Sequence, residues 1–459
     1  MSIVDSQKRY ECEIEALTVS KARKRLEKLF DNGVFTELDR FVKNNESECE
    51  VVTAYGEVGG ALVYAYAQSV DLCGGAMGKV QASKIAHVYD LATKTGAPVV
   101  AVFDSNGAHL DEGVEALEAY GKLIKAAGNI SGVVPQIAVV AGACIGSAAV
   151  LATLSDIVVM VKDAEFYITA PTFADSTQTK LGTAELAEKN GTASLVADTD
   201  DEAMEKVADL LSYLPSNNLS EASFTECGSP SGECLICSVV DGGSFFELSA
   251  NHGKSIKTGF ARVAGASVGV VATNADAKDG YFCPCAAKKA AHFVRLCDAF
   301  SIPVITFVDS LGILASEKCD TKGGVKAVAT LTSAYSEATT PKISIITGNA
   351  FAGAYISFVS SAASPDMVLA WSDSSIGTLE PMTAVQLLYK NRLEAGEDRK
   401  QLEYEYLKDK CSPFNAALSG YITDVILPEE TASRVVSALD VLSSKRVSTM
   451  NKKHTNIPL

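Results

Sequence analysis

No run of 18 or more uninterrupted apolar residues occurs in the 459-residue chain, so no membrane-spanning helix is expected. The opening stretch "MSIVDSQKRYECEIEA" lacks the apolar core of a secretion signal, which points to a cytoplasmic protein. A formal charge of −16 repels nucleic acid and anionic lipid, so no nucleic-acid partner is expected. Twelve cysteines are scattered along the chain, and without a secretion signal they are expected as reduced, packed thiols. "CLIC" (Cys234 to Cys237) and "CPC" (Cys283 to Cys285) lack a second pair at finger spacing. No metal site is expected from them. Several catalytic signatures are absent as well: H-E-x-x-H, a G-x-G-x-x-G opening a helix, and a P-loop lysine. No persuasive side-chain acid–base pair stands out.

What is present is ordinary globular composition, 47% apolar and 21% charged. A mass of 48.2 kDa exceeds what one hydrophobic core usually supports, so two domains are expected. The chain repeats itself. "TGAPVVAVFDSNG" (Thr95 to Gly107) recurs as "FSIPVITFVDSLG" (Phe300 to Gly312), with Pro98/Pro303, Asp104/Asp309 and Gly107/Gly312 each 205 apart (303 − 98, 309 − 104, 312 − 107). The same shift pairs Lys84 with Lys289 and His87 with His292. Further on, "VPQIAVVAGACIGSAAV" aligns with "TPKISIITGNAFAGAYI" at 206 (Gly142/Gly348), and Asp156/Asp366 and Pro171/Pro381 follow at 210. A repeat this long predicts two like domains rather than a solenoid.

Within each copy, β-rich runs such as "PVVAVFD" and "QIAVVAG" alternate with helical patterns such as "ASKIAHVYDLATKTG". The class is therefore α/β, with βαβ crossovers around a buried sheet. "AEKNGTASLVADTDDEAMEKVADLLSYLPSNN" reads as a loop and then an amphipathic helix, and "TECGSPSGECL" as a linker. The boundary is placed near 235, giving domains 1–235 and 236–459.

Each copy also carries a small-residue turn between a β-branched run and an apolar stretch. Gly146, Ser147 and Ala148 match Ala352, Gly353 and Ala354. A strand passing into a helix there leaves backbone N–H groups unpaired, and such donors stabilise an anion developing on a carbonyl oxygen. Close helix–strand packing asks for the same small residues. His87 and His292 fall in helical patterns as packed or surface residues, and Asp104 and Asp309 suit caps at strand ends.

The motifs "GGAMGKVQASKIAHVYDLATKTGAPVVAVFDSNGAHLDEGV", "SGVVPQIAVVAGACIGSAAV", "EFYITAP", "GFARVAGASVGVVATN", "AYSEATTPKISIITGNAFAGAY", "GYITDVILPEET" and "KKHTNIPL" resemble the carboxyltransferase subunit of biotin-dependent acyl-CoA carboxylases and decarboxylases, of propionyl-CoA carboxylase beta type. That family is a branch of the crotonase superfamily. The resemblance covers nearly the whole chain. It implies two tandem crotonase-like (ClpP/crotonase) domains and a homo-oligomer, dimer to hexamer, in which the N-domain of one subunit meets the C-domain of another. It further implies an acyl-CoA thioester held as its enolate at the first oxyanion hole, and the ureido oxygen of carboxybiotin at the second. Biotin itself would exchange the substrate's α-proton, which fits the missing base.

Carried over by position, the resemblance assigns catalysis to Gly146, Ser147, Gly353 and Ala354, and substrate binding to Asn106, Gly107, Ala108, His109, Ile145, Ala352, Tyr355 and Ile356. Each Gly-Gly of the family has lost one glycine, to Ser147 and Ala352. "DSGGARIQEG" stands here as "DSNGAHLDEG", with His109 where the family has arginine, and "DSLGILAS" replaces a D-x-P-G-F pattern. Ile356 is assigned to face the acyl group. No A-M-K-M biotinylation sequence and no ATP-grasp segment occur, so biotin is expected on a separate carrier protein, with biotin carboxylase or a membrane decarboxylase subunit as a further partner. Two alternatives stand beside the carboxylase component: the α-subunit of a sodium-pumping methylmalonyl- or glutaconyl-CoA decarboxylase, and a non-catalytic scaffold paralogue.

Overall fold

The computed structural model describes residues 3–17, 19–44, 47–169, 181–226, 228–232, 234–448 and 450–457. Pro171, one marker of the repeat, and the closing Pro458 and Leu459 lie outside them. The chain divides into two compact units, Met1–Glu221 and Ala222–Leu459. The division falls before the boundary near 235 expected from sequence, because the intervening stretch is bridged to residues of the second unit: Phe224 to Ala266 and Gly228 to Gly242.

Eight strands build the first sheet: β1 (Phe35–Leu38), β2 (Val51–Val58), β3 (Ala61–Gln68), β4 (Val99–Ser105), β5 (Gln136–Ile145), β6 (Ile157–Val161), β7 (Glu165–Tyr167) and β8 (Leu195–Ala197). Their order is β1-β2-β3-β4-β5-β6-β8, with β7 paired to β5. The second sheet comprises β9 (Phe246–Leu248), β10 (Ile256–Val263), β11 (Ala266–Thr273), β12 (Val304–Ser310), β13 (Lys342–Phe351), β14 (Met367–Trp371), β15 (Ser375–Gly377) and β16 (Asp424–Ile426). It follows the same order, β9-β10-β11-β12-β13-β14-β16, with β15 paired to β13. In each unit the first three strands are antiparallel and the rest parallel. The duplication is thus one topology used twice.

Local sequence explains these elements. All seven residues of β4 are buried, as a parallel strand covered on both faces requires, and "VVAVFDS" is the near-continuous apolar run that suits it. Two-residue loops with positive φ close the matching hairpins, Gly59–Gly60 (58° and 75°) and Ala264–Gly265 (49° and 83°), where the right-handed strand twist favours that conformation. Helix α1 (Lys21–Leu29) comes before β1. Helix α2 (Lys79–Thr95) buries Ile85, Val88 and Ala92 and stops at Gly96, φ 65°. Its counterpart α3 (Pro284–Ala299) starts with proline at its first turn.

Several expectations change. Asp104 and Asp309 are not caps. Asp104 is 3% exposed and pairs with Arg25 of α1 at 2.7 Å, while Arg25 also holds Asp200 at 2.7 Å and the Ala141 carbonyl at 3.0 Å. Asp309 accepts from the Asn349 backbone (2.7 Å) and side-chain amide (3.0 Å). Both carboxylates sit over a shift in strand register, between Phe103 and Ser105 and between Val308 and Ser310. Cys234 and Cys237 form a disulfide rather than packed thiols, whereas the nine other cysteines among the described residues are free. The spacing of two permits a bond across one turn, which the absence of a secretion signal argued against. His87 lies at the surface with Nδ1 2.8 Å from Asp39.

Candidate functional site

The candidate site of the first unit begins where β5 ends. Ile145 is followed by Gly146 at φ 65°, ψ −125°, and then by the seven-residue helix Ser147–Thr153. That backbone conformation is open to glycine and strained for any residue with a Cβ. Space is not the constraint, since the nearest atom to an added Cβ would be the Ile168 carbonyl oxygen at 3.8 Å. The Gly146 N–H is already taken: it donates to the Tyr167 carbonyl at 3.0 Å. Gly146 therefore shapes the turn and is not itself a free donor, which corrects its expected role. Ser147, the first residue of the helix, has an N–H without an intrahelical acceptor.

The "DSNGAH" loop is brought against this turn. Ser105 Oγ accepts from the Gly107 N–H at 3.2 Å, and Met77 clamps the loop by donating to the Gly107 carbonyl and accepting from the His109 N–H, both at 2.8 Å. Gly107 has φ 108°, and a Cβ there would stand 3.7 Å from the Ile145 carbonyl. Ala108 bridges Met77. Asn106 turns outward, its N–H on Gly74. His109 Nδ1 is buried without a partner among the described residues. An apolar recess of about 400 Å³ adjoins the turn, lined by Val150, Leu154, Phe166, Tyr167 and Ile168 among others.

The second unit repeats the arrangement with changed residues. β13 ends at Phe351, and Ala352 takes the place of Gly146 (352 − 206) with φ 46°. Here a Cβ is tolerated in the left-handed region, at a cost of about 1–2 kcal/mol. Gly353 matches Ser147, and nothing lies within 4 Å of where its Cβ would stand. Ser310 Oγ accepts from Gly312 at 3.2 Å, as Ser105 does from Gly107. A Cβ on Gly312, whose φ is 122°, would stand 3.5 Å from the Phe351 carbonyl and 4.0 Å from the Gly353 nitrogen. Beyond Ala354 the backbone widens into one π-helical turn, Tyr355–Val359, a form that concentrates at functional sites. Burial, with Tyr421 nearby, raises the Tyr355 hydroxyl above its ordinary value. Ile356 is 56% exposed.

The structure thus gathers Gly107, Ala108, Ile145, Gly146 and Ser147 in one unit, and Ala352, Gly353 and Ala354 beside Gly312 in the other. Asn106 and Ile356 stand at the surface. Sequence reasoning passed over Ser105, Ser310 and Met77, although the two serines recur at the 205 shift (310 − 105) inside "DSNG" and "DSLG". Among the described residues no group of three or more His, Cys, Asp or Glu is set to hold a metal, and no helix is long and apolar enough to cross a membrane.

Residues 20–457 match the family described as carboxyl transferase domain. The chain belongs to that family. Its relatives include the methylmalonyl-CoA decarboxylase subunit alpha of Veillonella parvula, 37% identical over 95% of this chain and 93% of that one. The propionyl-CoA carboxylase carboxyltransferase subunit of Haloferax mediterranei is 35% identical over 95% and 93%. Transcarboxylase 12S, solved as a hexamer with methylmalonyl-coenzyme A bound, is 33% identical with a TM-score of 0.90, over 98% of this chain and 95% of that one. A single-chain, multi-domain long-chain acyl-CoA carboxylase, 22% identical with a TM-score of 0.82, shares the fold. The two units are accordingly tandem crotonase-like domains, and as a member of the family the chain is a carboxyltransferase of the biotin-dependent class.

Proposed function

We propose that this chain moves a carboxyl group between carrier-held biotin and the α-carbon of a short acyl-CoA, with the first unit taking the thioester and the second the biotin. The observation that carries this reading is the paired turn: one strand-to-helix device built twice, with different residues, suits two carbonyls that are not alike. In the first unit the Gly107 loop lies against the Ile145 carbonyl, two residues before the Ser147 N–H. Donors at that place would hold the thioester oxygen as charge moves onto it, and losing one aimed donor of this kind costs on the order of 10²–10³ in turnover. The recess beside Val150, Leu154 and Ile168 would shelter the apolar part of the substrate.

The open space beside Gly353 fits a ligand carbonyl approaching the backbone, which is what the ureido oxygen of biotin presents. When bound, biotin supplies the carboxyl group. The chain's own part there is to orient the ring through Gly353 and Ala354. Ile356 would face the acyl group held by the first unit of another subunit, Tyr355 would contact substrate, and His109 with Asn106 would line the remaining substrate edge. The relatives' names support a propionyl- or methylmalonyl-type CoA as the acyl partner, and the hexamer of the solved relative supports a homo-oligomer as the working form. A carrier protein and either biotin carboxylase or a membrane subunit complete the proposal, in a cytoplasmic setting. The methylmalonyl-CoA decarboxylase relative at 37% identity favours, as a second reading, the same transfer run from acyl-CoA to biotin.

The test is carboxyl transfer with free biotin or biotinylated carrier against a panel of acyl-CoAs. Transfer to or from propionyl-, malonyl-, methylmalonyl- or glutaconyl-type thioesters supports the reading. Failure to bind or turn over any acyl-CoA gives the scaffold reading instead.

A further inference from the structure

We propose that Tyr281 and Glu380 form a polar wall of the second unit's turn, with the Tyr281 hydroxyl oxygen accepting an N–H from a cyclic urea whose carbonyl faces Gly353. This rests on the reading that the second unit takes biotin, and it adds a residue pair that reads the ring's other edge.

The backbone brings both residues close to the turn. Tyr281–Phe282 is a short strand paired in parallel with Gly312–Ile313, Tyr281 opposite Gly312, and Gly312 is the glycine packed against Phe351 and Gly353. From the other side, β15 pairs Gly377 with Phe351. Three residues later Glu380 stands at the N-cap of the helix Pro381–Leu388.

The chemistry of the pair is specific. Tyr281 donates to Glu380 Oε2 at 2.5 Å, and Thr383 Oγ1 donates to Glu380 Oε1 at 2.8 Å. The phenol's single proton is committed, so what it has left is its oxygen lone pairs. The carboxylate behind it polarises the O–H and makes that oxygen a better acceptor. Partial burial and the Glu380 carboxylate push the Tyr281 phenol up to about 12, so it stays protonated at neutral pH. A backbone N–H at Gly353 asks for a carbonyl oxygen, and Tyr281 asks for an N–H. A cyclic urea offers both on adjacent atoms, and keeps one N–H after carboxylation of the other nitrogen. A thioester has no N–H at its carbonyl. The repeat positions in the first unit are Ala76 (281 − 205) and Ala170 (380 − 210), which carry neither hydroxyl nor carboxyl. The pair belongs to one copy of the turn, as it should if the two turns take different ligands.

The test compares Tyr281→Phe, Glu380→Gln and Gly353→Val in the full chain, reading the KM for free biotin in carboxyl transfer, the acyl-CoA Kd by calorimetry, and the thermal midpoint. Tyr281→Phe should raise the biotin KM about tenfold, the worth of one hydrogen bond to a polarised group, with acyl-CoA Kd unchanged. Glu380→Gln, which keeps an acceptor but removes the charge, should raise it less, and carries the test if Tyr281→Phe does not fold. A biotin KM within about twofold of wild type, or an acyl-CoA Kd that moves as far as the biotin KM, overturns the proposal and leaves the pair a structural clip. If Gly353→Val abolishes the biotin-dependent step while Tyr281→Phe does nothing, this inference alone fails. If Gly353→Val also spares that step, the biotin assignment of the second unit fails with it.

Discussion

Two residues at equivalent places, Gly146 and Ala352, show how little a side chain must change to alter a turn. Gly146 occupies φ 65°, ψ −125°, so Gly146→Ala should already disturb the Ser147 amide through strain rather than crowding. Ala352 carries its Cβ at φ 46°. Ala352→Gly should therefore raise stability by about 1 kcal/mol in denaturant unfolding and leave transfer equal or higher. A lower stability would mean that the Cβ earns its place by packing. Lysine 289 carries a second prediction. Burial lowers Lys289 to about 8 from an ordinary 10.5, although its Nζ donates to the Ser249 and His252 carbonyls at 3.2 and 2.6 Å. Between those pH values the unfolded chain binds the extra proton, so stability rises with pH across that window. The cost is fully present below about pH 8. Unfolding measured from pH 7.5 to 10.5 should show wild type gaining on Lys289→Met; equal slopes would contradict the assignment.

At the level of elements, the ion pair joining α1 to β4 is the most consequential contact that the sequence did not disclose. Arg25 and Asp104 are 79 residues apart (104 − 25), and nothing local marks Arg25 as buried. Removing one partner leaves an uncompensated charge, so Arg25→Leu should cost about 3–5 kcal/mol of unfolding free energy, and Arg25→Leu with Asp104→Leu should recover much of it. Glycine spacing, by contrast, was legible but not its reason: a Cβ at Gly142 or Gly348 would collide with the Asp104 or Asp309 carboxylate, so these glycines make room for the carboxyls. The strands and helices themselves could be read because apolar runs and Pro–Asp–Gly punctuation recur at one offset. The commitment of the Gly146 amide to Tyr167 could not, since it depends on β7 returning to pair with β5. Nor could the Cys234–Cys237 bond, because without a secretion signal two cysteines at that spacing read as reduced thiols.

For the whole molecule, duplication explains why no acid–base dyad was found: what recurs at the 205–206 offset is backbone geometry, with Gly107/Gly312 and Gly146/Ala352 in matching positions, while the polar additions such as Tyr281 and Glu380 do not recur. An oligomer is expected from the family, and light scattering at micromolar concentration should show one; a stable monomer would count against a working site. The most direct measurement places Gly146→Val and Gly353→Val side by side, with acyl-CoA binding by calorimetry and carboxyl transfer from biotin read for both. By straining the turn and displacing the Ser147 amide, Gly146→Val should lose acyl-CoA binding and depress transfer at least 10²-fold, on the order of one lost donor, and Gly353→Val should bind acyl-CoA normally while failing in the biotin-dependent step. Identical losses in the two variants, or normal acyl-CoA binding by Gly146→Val, would contradict the division of labour between the two turns.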